Sequence, residues 1–278
     1  MSDKFDKFFW FRNNRILIDG VKQEHLFMHI SDLHLHVVDD LSTPEEKEKA
    51  IEKESSWLEG KEKYAESAGE PFRDEQRISS VDAFEKHLML AEELRPEALL
   101  ITGDTLNYMH PAGERYLRKK LMDYKNKGGQ FICVPGNHED DNFADLWDAK
   151  LRVYEFEGFR IIAVNDSKHT LEDESILRLE ALCNENIPMI VICHIPLLTD
   201  SCRNEIENAG AYFYIEENSE DINARKFVSI IKNCDTVKAV VCGHLHRYVN
   251  CEIAPGKPQI IGSQGMAGAV DLITVCGK

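Results

Sequence analysis

Five short motifs in the sequence carry side chains that are good metal ligands. They are "SDLHLH" at 31–36, "TGDTLN" at 102–107, "PGNHE" at 135–139, "CHIP" at 193–196 and "GHLH" at 243–246. Imidazole and carboxylate groups bind first-row divalent metals well. In an extended chain, side chains two residues apart point to the same side, as Asp32 and His34 would. The motifs therefore predict a metal site.

The number of donors indicates two metal ions. The motifs supply seven candidate ligands: Asp32, His34, Asp104, Asn137, His194, His244 and His246. Seven ligands are too many for one ion that also binds a water molecule. They suit two adjacent ions if one carboxylate bridges them. Two such ions about 3.5–4 Å apart can clamp a phosphoryl group and turn a water between them into hydroxide. Two carboxylates and one hydroxide leave the pair of ions net positive, which favours a phosphate anion.

Each motif follows an apolar segment that predicts a buried strand. Strands are predicted at 15–18, 26–30, 97–102, 130–134, 152–156, 159–164, 188–193, 237–242, 259–262 and 272–275, with helices near 79–94, 113–127, 171–185 and 221–233. This alternation is typical of an α/β fold with parallel strands, and the turn at Glu157–Gly158 predicts an antiparallel hairpin. The carboxyl ends of parallel strands share one edge of a sheet, so we expect the motifs to converge there.

Two segments are interpreted as insertions into a single domain of residues 1–278. The first, 42–66, lies in a charged stretch around 40–75; Ser42 or Thr43 followed by Pro44 and acidic residues indicates the start of a helix. This helix is either solvated or a lid over a substrate site. The connection 199–222 is either surface decoration or a specificity element.

Composition excludes several classes of protein. The chain has 278 residues, and its net charge of −16 disfavours broad nucleic-acid binding through basic patches. The first fourteen residues are too interrupted by charge for a signal peptide, and no apolar run approaches the ~18 residues of a membrane span. The eight cysteines include no C-x-x-C pair and are interpreted as free, buried thiols. We therefore expect a cytoplasmic protein that does not enter a membrane.

In this order, the motifs resemble those of the calcineurin-like metallophosphoesterases: D-x-H, G-D, G-N-H-[DE], H and G-H-x-H. The resemblance runs from about 26 to 262 and implies a four-layer α/β/β/α sandwich with two mixed β-sheets and a two-metal centre. It implies one metal held by Asp32, His34 and His246, another held by Asn137, His194 and His244, and Asp104 bridging both. The ions would be divalent or mixed-valence, and Mn, Fe and Zn all accept such ligands.

The resemblance also implies a catalytic role for His138, beside the bridging Asp104. His138 would hydrogen-bond the phosphate and stabilise or protonate the leaving group, and Glu139 or a neighbouring acid could orient it. The purple acid phosphatases of the wider superfamily carry Tyr three residues after the bridging Asp. This chain has Asn107 there, which argues against a tyrosinate–iron chromophore.

Three other features are expected to be structural. His36 is interpreted as a pocket-rim or solvated residue, and His29 as a packed core residue. "GSQGMAG" at 262–268 departs from G-x-G-x-x-G and opens no helix, which excludes dinucleotide binding. Its glycines are expected to let the backbone pass close to the metal site.

The predicted activity is metal-dependent hydrolysis of a phosphodiester or phosphomonoester of a small molecule, such as a nucleotide, with metal-bound hydroxide as nucleophile. One alternative is a phosphoprotein phosphatase. The other is a non-catalytic, metal-bound scaffold for protein interaction, which the presence of every ligand and of His138 disfavours.

Overall fold

The computed structural model describes residues 7–70, 72–139, 146–147, 150–209 and 213–278. Residues 1–6 of the N-terminal segment and 210–212 of the connection 199–222 lie outside this part.

The strands are β1 Trp10–Leu17, β2 His25–Ile30, β3 Ala98–Thr102, β4 Phe131–Val134, β5 Arg152–Phe156, β6 Phe159–Ala163, β7 Met189–Ile192, β8 Leu197–Leu198, β9 Ile215–Glu216, β10 Val237–Cys242, β11 Val249–Ala254, β12 Lys257–Ile261 and β13 Ala269–Cys276. The helices are α1 Pro44–Ala68, α2 Ser80–Leu94, α3 Pro111–Asn126, α4 Asp173–Cys183, α5 Arg203–Asn208 and α6 Ile222–Asn233. Within the described residues, no helix has the length and apolar character needed to cross a membrane.

Two mixed sheets form the framework of the fold. The first has the order β1-β13-β2-β3-β4, with β13 and β2 antiparallel and the other pairs parallel. The second has the order β11-β12-β10-β7-β6-β5, with an antiparallel pair at each edge. Strands β8 and β9 form a small parallel pair of their own. The predicted α/β class with two mixed sheets is confirmed, and the β5–β6 pair is the predicted hairpin.

Apolar side chains of both sheets share one buried cluster. It includes Phe27 and Leu100 of the first sheet and Ile190 and Val241 of the second. A second cluster joins the first sheet to α2 and α3, and a third joins the second sheet to α4 and α6. Strands covered on both faces consist of nearly continuous apolar residues, which is why β3 and β10 are evident in the sequence.

The sequence does not predict β11. Exposed and buried residues alternate in this strand, which lies at an edge of the second sheet, so it lacks a continuous apolar run. The sequence also places the start of β1 too late. The observed strand includes the polar stretch Arg12–Asn14, which pairs with β13.

Two of the eight cysteines form a disulfide. Cys183 ends α4, Cys234 directly follows α6, and their Cα atoms are 6.0 Å apart. The other six cysteines are buried thiols. The prediction that all eight are free is wrong for this pair. Packing of α4 against α6 brings together two cysteines that are 51 residues apart, and no local sequence signal marks them.

Candidate metal centre

The seven candidate ligands follow five strands at their carboxyl ends, as predicted. Asp32 and His34 follow β2, Asp104 follows β3, Asn137 follows β4, His194 follows β7, and His244 and His246 follow β10. Strands β2, β3 and β4 belong to the first sheet, whereas β7 and β10 belong to the second. The centre therefore depends on the packing of one sheet against the other.

Three of these side chains form a first cluster. The candidate ligand atoms of Asp32, His34 and His246 all lie within 4.8 Å of one another. His246 Nε2 is 3.0 Å from His34 Nε2 and 3.3 Å from Asp32 Oδ1. One carboxylate and two imidazoles thus face a common point.

A second cluster lies beside the first. It consists of Asp104, His194 and His244, again with candidate ligand atoms within 4.8 Å of one another. His194 Nε2 is 3.1 Å from His244 Nδ1 and 3.2 Å from Asn137 Oδ1, so the exposed amide of Asn137 joins this cluster.

The carboxylate of Asp104 faces both clusters. Its Oδ2 is 3.7 Å from His34 Nε2 and 3.5 Å from His194 Nε2. The same oxygen is 3.9 Å from His138 Nε2. Asp104 is therefore the side chain that could bridge two ions.

Five of the candidate ligands have left-handed backbone conformations. The φ angles are 55° for Asp32, 46° for His34, 49° for Asp104, 74° for His244 and 54° for His246. Residues other than glycine adopt this region at a cost of about 1–3 kcal/mol each, and such strain is concentrated at functional sites. The sharp turns carry these side chains into the space between the sheets.

Two glycines allow the backbone to approach these ligands closely. A Cβ atom at Gly136 would collide with the carboxylate of Asp104, and one at Gly243 would collide with Ser31 and crowd Asp32. The glycine of the G-N-H motif is therefore required where two loops of the first sheet meet, and that of the G-H-x-H motif where the two sheets meet.

The centre holds two buried, ionised carboxylates. Burial opposes ionisation, but the surrounding imidazoles outweigh it and hold the pKa of Asp32 at about 2 and that of Asp104 below its ordinary range. Burial lowers the pKa of His34 and of His244 to about 3. Burial also disfavours charge on His194, but Asp104 beside it raises the pKa of His194 to about 10. Buried negative charge of this kind requires a nearby positive charge.

Hydrogen bonds orient two of the imidazoles for metal binding. His34 Nδ1 donates to Asn107 Oδ1 at 3.1 Å, and His194 Nδ1 donates to the Thr102 carbonyl at 2.7 Å. Each ring can then bind a metal through Nε2 when that nitrogen carries no proton, an arrangement typical of histidine ligands. Asp32 Oδ1 is buried without a hydrogen-bond partner, which leaves a carboxylate oxygen of the first cluster available to a metal. These residues fit a binuclear site with Asp and His ligands.

A comparison of the sequence with protein-family models decides the family. The model described as calcineurin-like phosphoesterase matches residues 25–248. The chain belongs to the calcineurin-like phosphoesterase family. Its members are metal-dependent phosphoesterases, and the predicted resemblance is confirmed. No curated protein matches the sequence.

Solved structures show the same fold as this chain. A dimetal phosphatase from Danio rerio superposes with a TM-score of 0.52 at 13% identity, covering 87% of this chain and 88% of the other. The protein TT1561 of Thermus thermophilus superposes with a TM-score of 0.51 at 10% identity, covering 88% of this chain and 91% of the other. At such identities the likeness concerns the fold alone.

The ring of His138 is oriented by a backbone carbonyl. Its Nδ1 donates to the carbonyl of Asn107 at 2.8 Å, and its side chain is 36% exposed. Glu139 does not contact this ring. The Glu139 carboxylate is buried and accepts the N–H groups of Leu106 and Gly136, each at 2.8 Å. The expectation that Glu139 or a neighbouring acid orients His138 is therefore wrong for Nδ1, which bonds a carbonyl. Glu139 fixes the two loops, and its burial raises its pKa to about 8.

Asp166 also supports the centre, although it belongs to none of the five sequence motifs. Its buried carboxylate accepts the N–H groups of His194 and Ile195 at 2.8 and 2.9 Å, which holds the loop that presents His194. Asp166 lies three residues beyond β6, so the rule that selects polar residues after strands could have found it.

Helix α1 is attached to the centre along one side. Trp57 stacks on His34 with ring centroids 4.3 Å apart, and its Nε1 donates to Asn107 Oδ1 at 3.0 Å. The ring of Tyr64 lies 4.9 Å from that of His246. The sequence predicts this helix with Ser42 or Thr43 as its cap, and Thr43 is the residue that caps it. No sequence pattern singles out Trp57 or Tyr64.

His36 helps to hold α1 in place and is not a solvated residue of the pocket rim. It is buried, and its Nδ1 lies 3.0 Å from Glu54 Oε2 on the helix. The interpretation of His36 as a pocket-rim or solvated residue is wrong because α1 covers this side chain. The local sequence pattern does not show such a tertiary contact. The interpretation of His29 is confirmed, since its buried ring bonds Asp271 and Thr102.

The glycine-rich segment passes close to the centre, as expected. Gly265 N–H donates to the Ser31 carbonyl at 2.7 Å, and Met266 N–H donates to the Asp32 carbonyl at 3.3 Å. A Cβ atom at Gly265 would lie 2.6 Å from the Ser31 oxygen, too close for any other residue.

Proposed function

We propose that this chain hydrolyses the phosphodiester or phosphomonoester bond of a small molecule with the help of two metal ions. The observation that carries the proposal is the position of Asp104 Oδ2, within 3.7 Å of an imidazole from each cluster and beside His138. In this proposal one ion would be held by Asp32, His34 and His246, the other would be held by Asn137, His194 and His244, and Asp104 would serve both.

The bound ions, whether Mn, Fe or Zn, would polarise a phosphoryl oxygen and lower the pKa of water. The chain supplies the remaining parts of the reaction. The Nδ1–H of His138 donates to the Asn107 carbonyl. The second N–H of a protonated ring is therefore the one on Nε2, which lies 3.9 Å from Asp104 Oδ2. From there it can donate to the phosphate or to the oxygen of the leaving group.

The size of the pocket favours a small substrate. The cavity above the clusters has a volume of about 430 Å³, within the range of small-molecule sites. The residues that line it include Asp104 and Asn137 and the aromatic side chains of Trp57, Tyr64 and Phe213. Helix α1 narrows the approach on one side, which disfavours the alternative of a folded phosphoprotein.

The proposed activity is tested with a panel of substrates after controlled metal loading. Protein stripped of metal and reloaded with Mn, Fe or Zn is assayed with bis-p-nitrophenyl phosphate, p-nitrophenyl phosphate, and linear and cyclic nucleotides. We expect hydrolysis of at least one ester class by the reloaded protein and none by the stripped protein. Lack of activity on every substrate with all three metals, despite two bound ions per chain, would contradict the proposal.

A further inference from the structure

We infer that the walls of the metal pocket bind a flat aromatic group of the substrate, a nucleobase or an aryl ring, next to the reacting phosphate. This inference rests on the proposed function and specifies its substrate class. It depends on the side chains that surround the clusters and not on the ligands themselves.

The first observation is the location of the exposed aromatic rings. Among the described Phe, Tyr and Trp side chains, only Tyr64 and Phe213 are exposed, at 38% and 62%. Both line the metal pocket. Exposed aromatic rings that are gathered at one concave site indicate a binding surface, whereas single apolar residues scattered over a protein surface do not.

The second observation is that one of these rings lies beside each cluster. The Tyr64 ring is 4.9 Å from the His246 ring of the first cluster, and the Phe213 ring is 5.9 Å from the His244 ring of the second. A phosphate held between the clusters therefore has an aromatic surface within reach on either side. Aromatic rings stack well on flat π-systems of any kind.

The third observation is that the Tyr64 side of the pocket is held firmly. Trp57 lies 6.2 Å from Tyr64 in a nearly parallel orientation, and its indole is fixed by His34 and Asn107. Glu54, one turn earlier on α1, accepts hydrogen bonds from both the Ser80 hydroxyl and the Ser80 N–H. A preformed wall of this kind loses little conformational entropy when a ring stacks on it.

The charge of the residues that line the pocket also favours a neutral aromatic group. No Lys or Arg lies among the described residues that line it. A second phosphate or a polyanionic group would therefore lack a cationic partner once the reacting phosphate lies on the metal centre. A neutral, flat group matches both the missing charge and the aromatic walls.

The test compares ligands that differ only in the ring. The metal-loaded His138→Asn protein is titrated with 5′-AMP and with ribose 5-phosphate in a calorimeter, so that binding is measured while hydrolysis is slowed by about 10²–10⁴-fold. We expect 5′-AMP to bind about 25-fold more tightly, since stacking on each of the two rings contributes about fivefold. Adding Tyr64→Ala or Phe213→Ala should reduce this ratio about fivefold or more, whereas Tyr64→Phe should preserve it. Phenyl phosphate as a third ligand distinguishes recognition of any aryl ring from recognition of a nucleobase.

The matched control is Leu177→Ala, which removes an exposed apolar side chain on α4 outside the pocket and should leave the ratio unchanged. Equal affinities for 5′-AMP and ribose 5-phosphate, unaffected by either alanine variant, would overturn the inference while leaving phosphoester hydrolysis intact. If no phosphate ligand binds and the unmodified protein hydrolyses no ester, the proposed function fails, and the inference fails with it.

Discussion

Replacement of Asp104 by alanine should remove both metal ions from the protein. Asp104 Oδ2 faces His34 Nε2 at 3.7 Å and His194 Nε2 at 3.5 Å, so one deletion takes a ligand from each cluster. It also leaves adjacent ions without the shared negative charge that reduces their mutual repulsion. Elemental analysis after gel filtration should find two ions per chain in the unmodified protein and far fewer than one in the variant.

The control for Asp104→Ala is Asp271→Asn. Asp271 is also a buried carboxylate, and it bonds the His29 ring at 3.0 Å, but it belongs to neither cluster. The Asp271→Asn protein should keep both ions even if its stability falls. Nearly two ions per chain in a folded Asp104→Ala protein would show that Asp104 does not bridge.

Replacement of His138 by asparagine should abolish most turnover while leaving the metals in place. The ring is adjacent to Asp104 but is held through Nδ1 by the Asn107 carbonyl, so its loss removes a proton donor and no proposed ligand. General acid catalysis contributes about 10²–10⁴-fold, and kcat should fall by that factor. Metal content measured on the same sample should equal that of the unmodified protein.

The leaving group separates a catalytic from a structural role for His138. A p-nitrophenolate ion leaves without protonation, whereas an alkoxide does not, so the loss caused by His138→Asn should be much larger for an alkyl ester. A change that only disturbs the loop would slow both substrates equally. Unchanged turnover of the alkyl ester would rule out the proposed role.

The clusters could be predicted from sequence because their geometry follows from the fold. Asp32, Asp104, His194 and His244 each stand two residues beyond a strand. The strands are apolar enough to recognise, and parallel strands bring their carboxyl ends to one edge. Residue type and position after a strand are local properties, so they can be read without coordinates.

The surroundings of the clusters could not be predicted in the same way. Asn107 accepts hydrogen bonds from His34 and from Trp57, which is fifty residues earlier in the chain, and His36 is covered by Glu54. The contacts of Trp57 and Glu54 exist only because α1 packs against the segments that follow β2 and β3. The Cys183–Cys234 disulfide likewise depends on the packing of two helices. Local patterns indicate which residues can bind a metal, but not which residues lie behind or above them.

The most direct test of the two-metal centre is an anomalous difference map from crystals of the manganese-loaded protein. We expect two peaks about 3.5–4 Å apart, the spacing of binuclear hydrolases, with Asp104 between them. One peak should lie among Asp32, His34 and His246, and the other among Asn137, His194 and His244. A single peak, or peaks away from these side chains, would contradict the account.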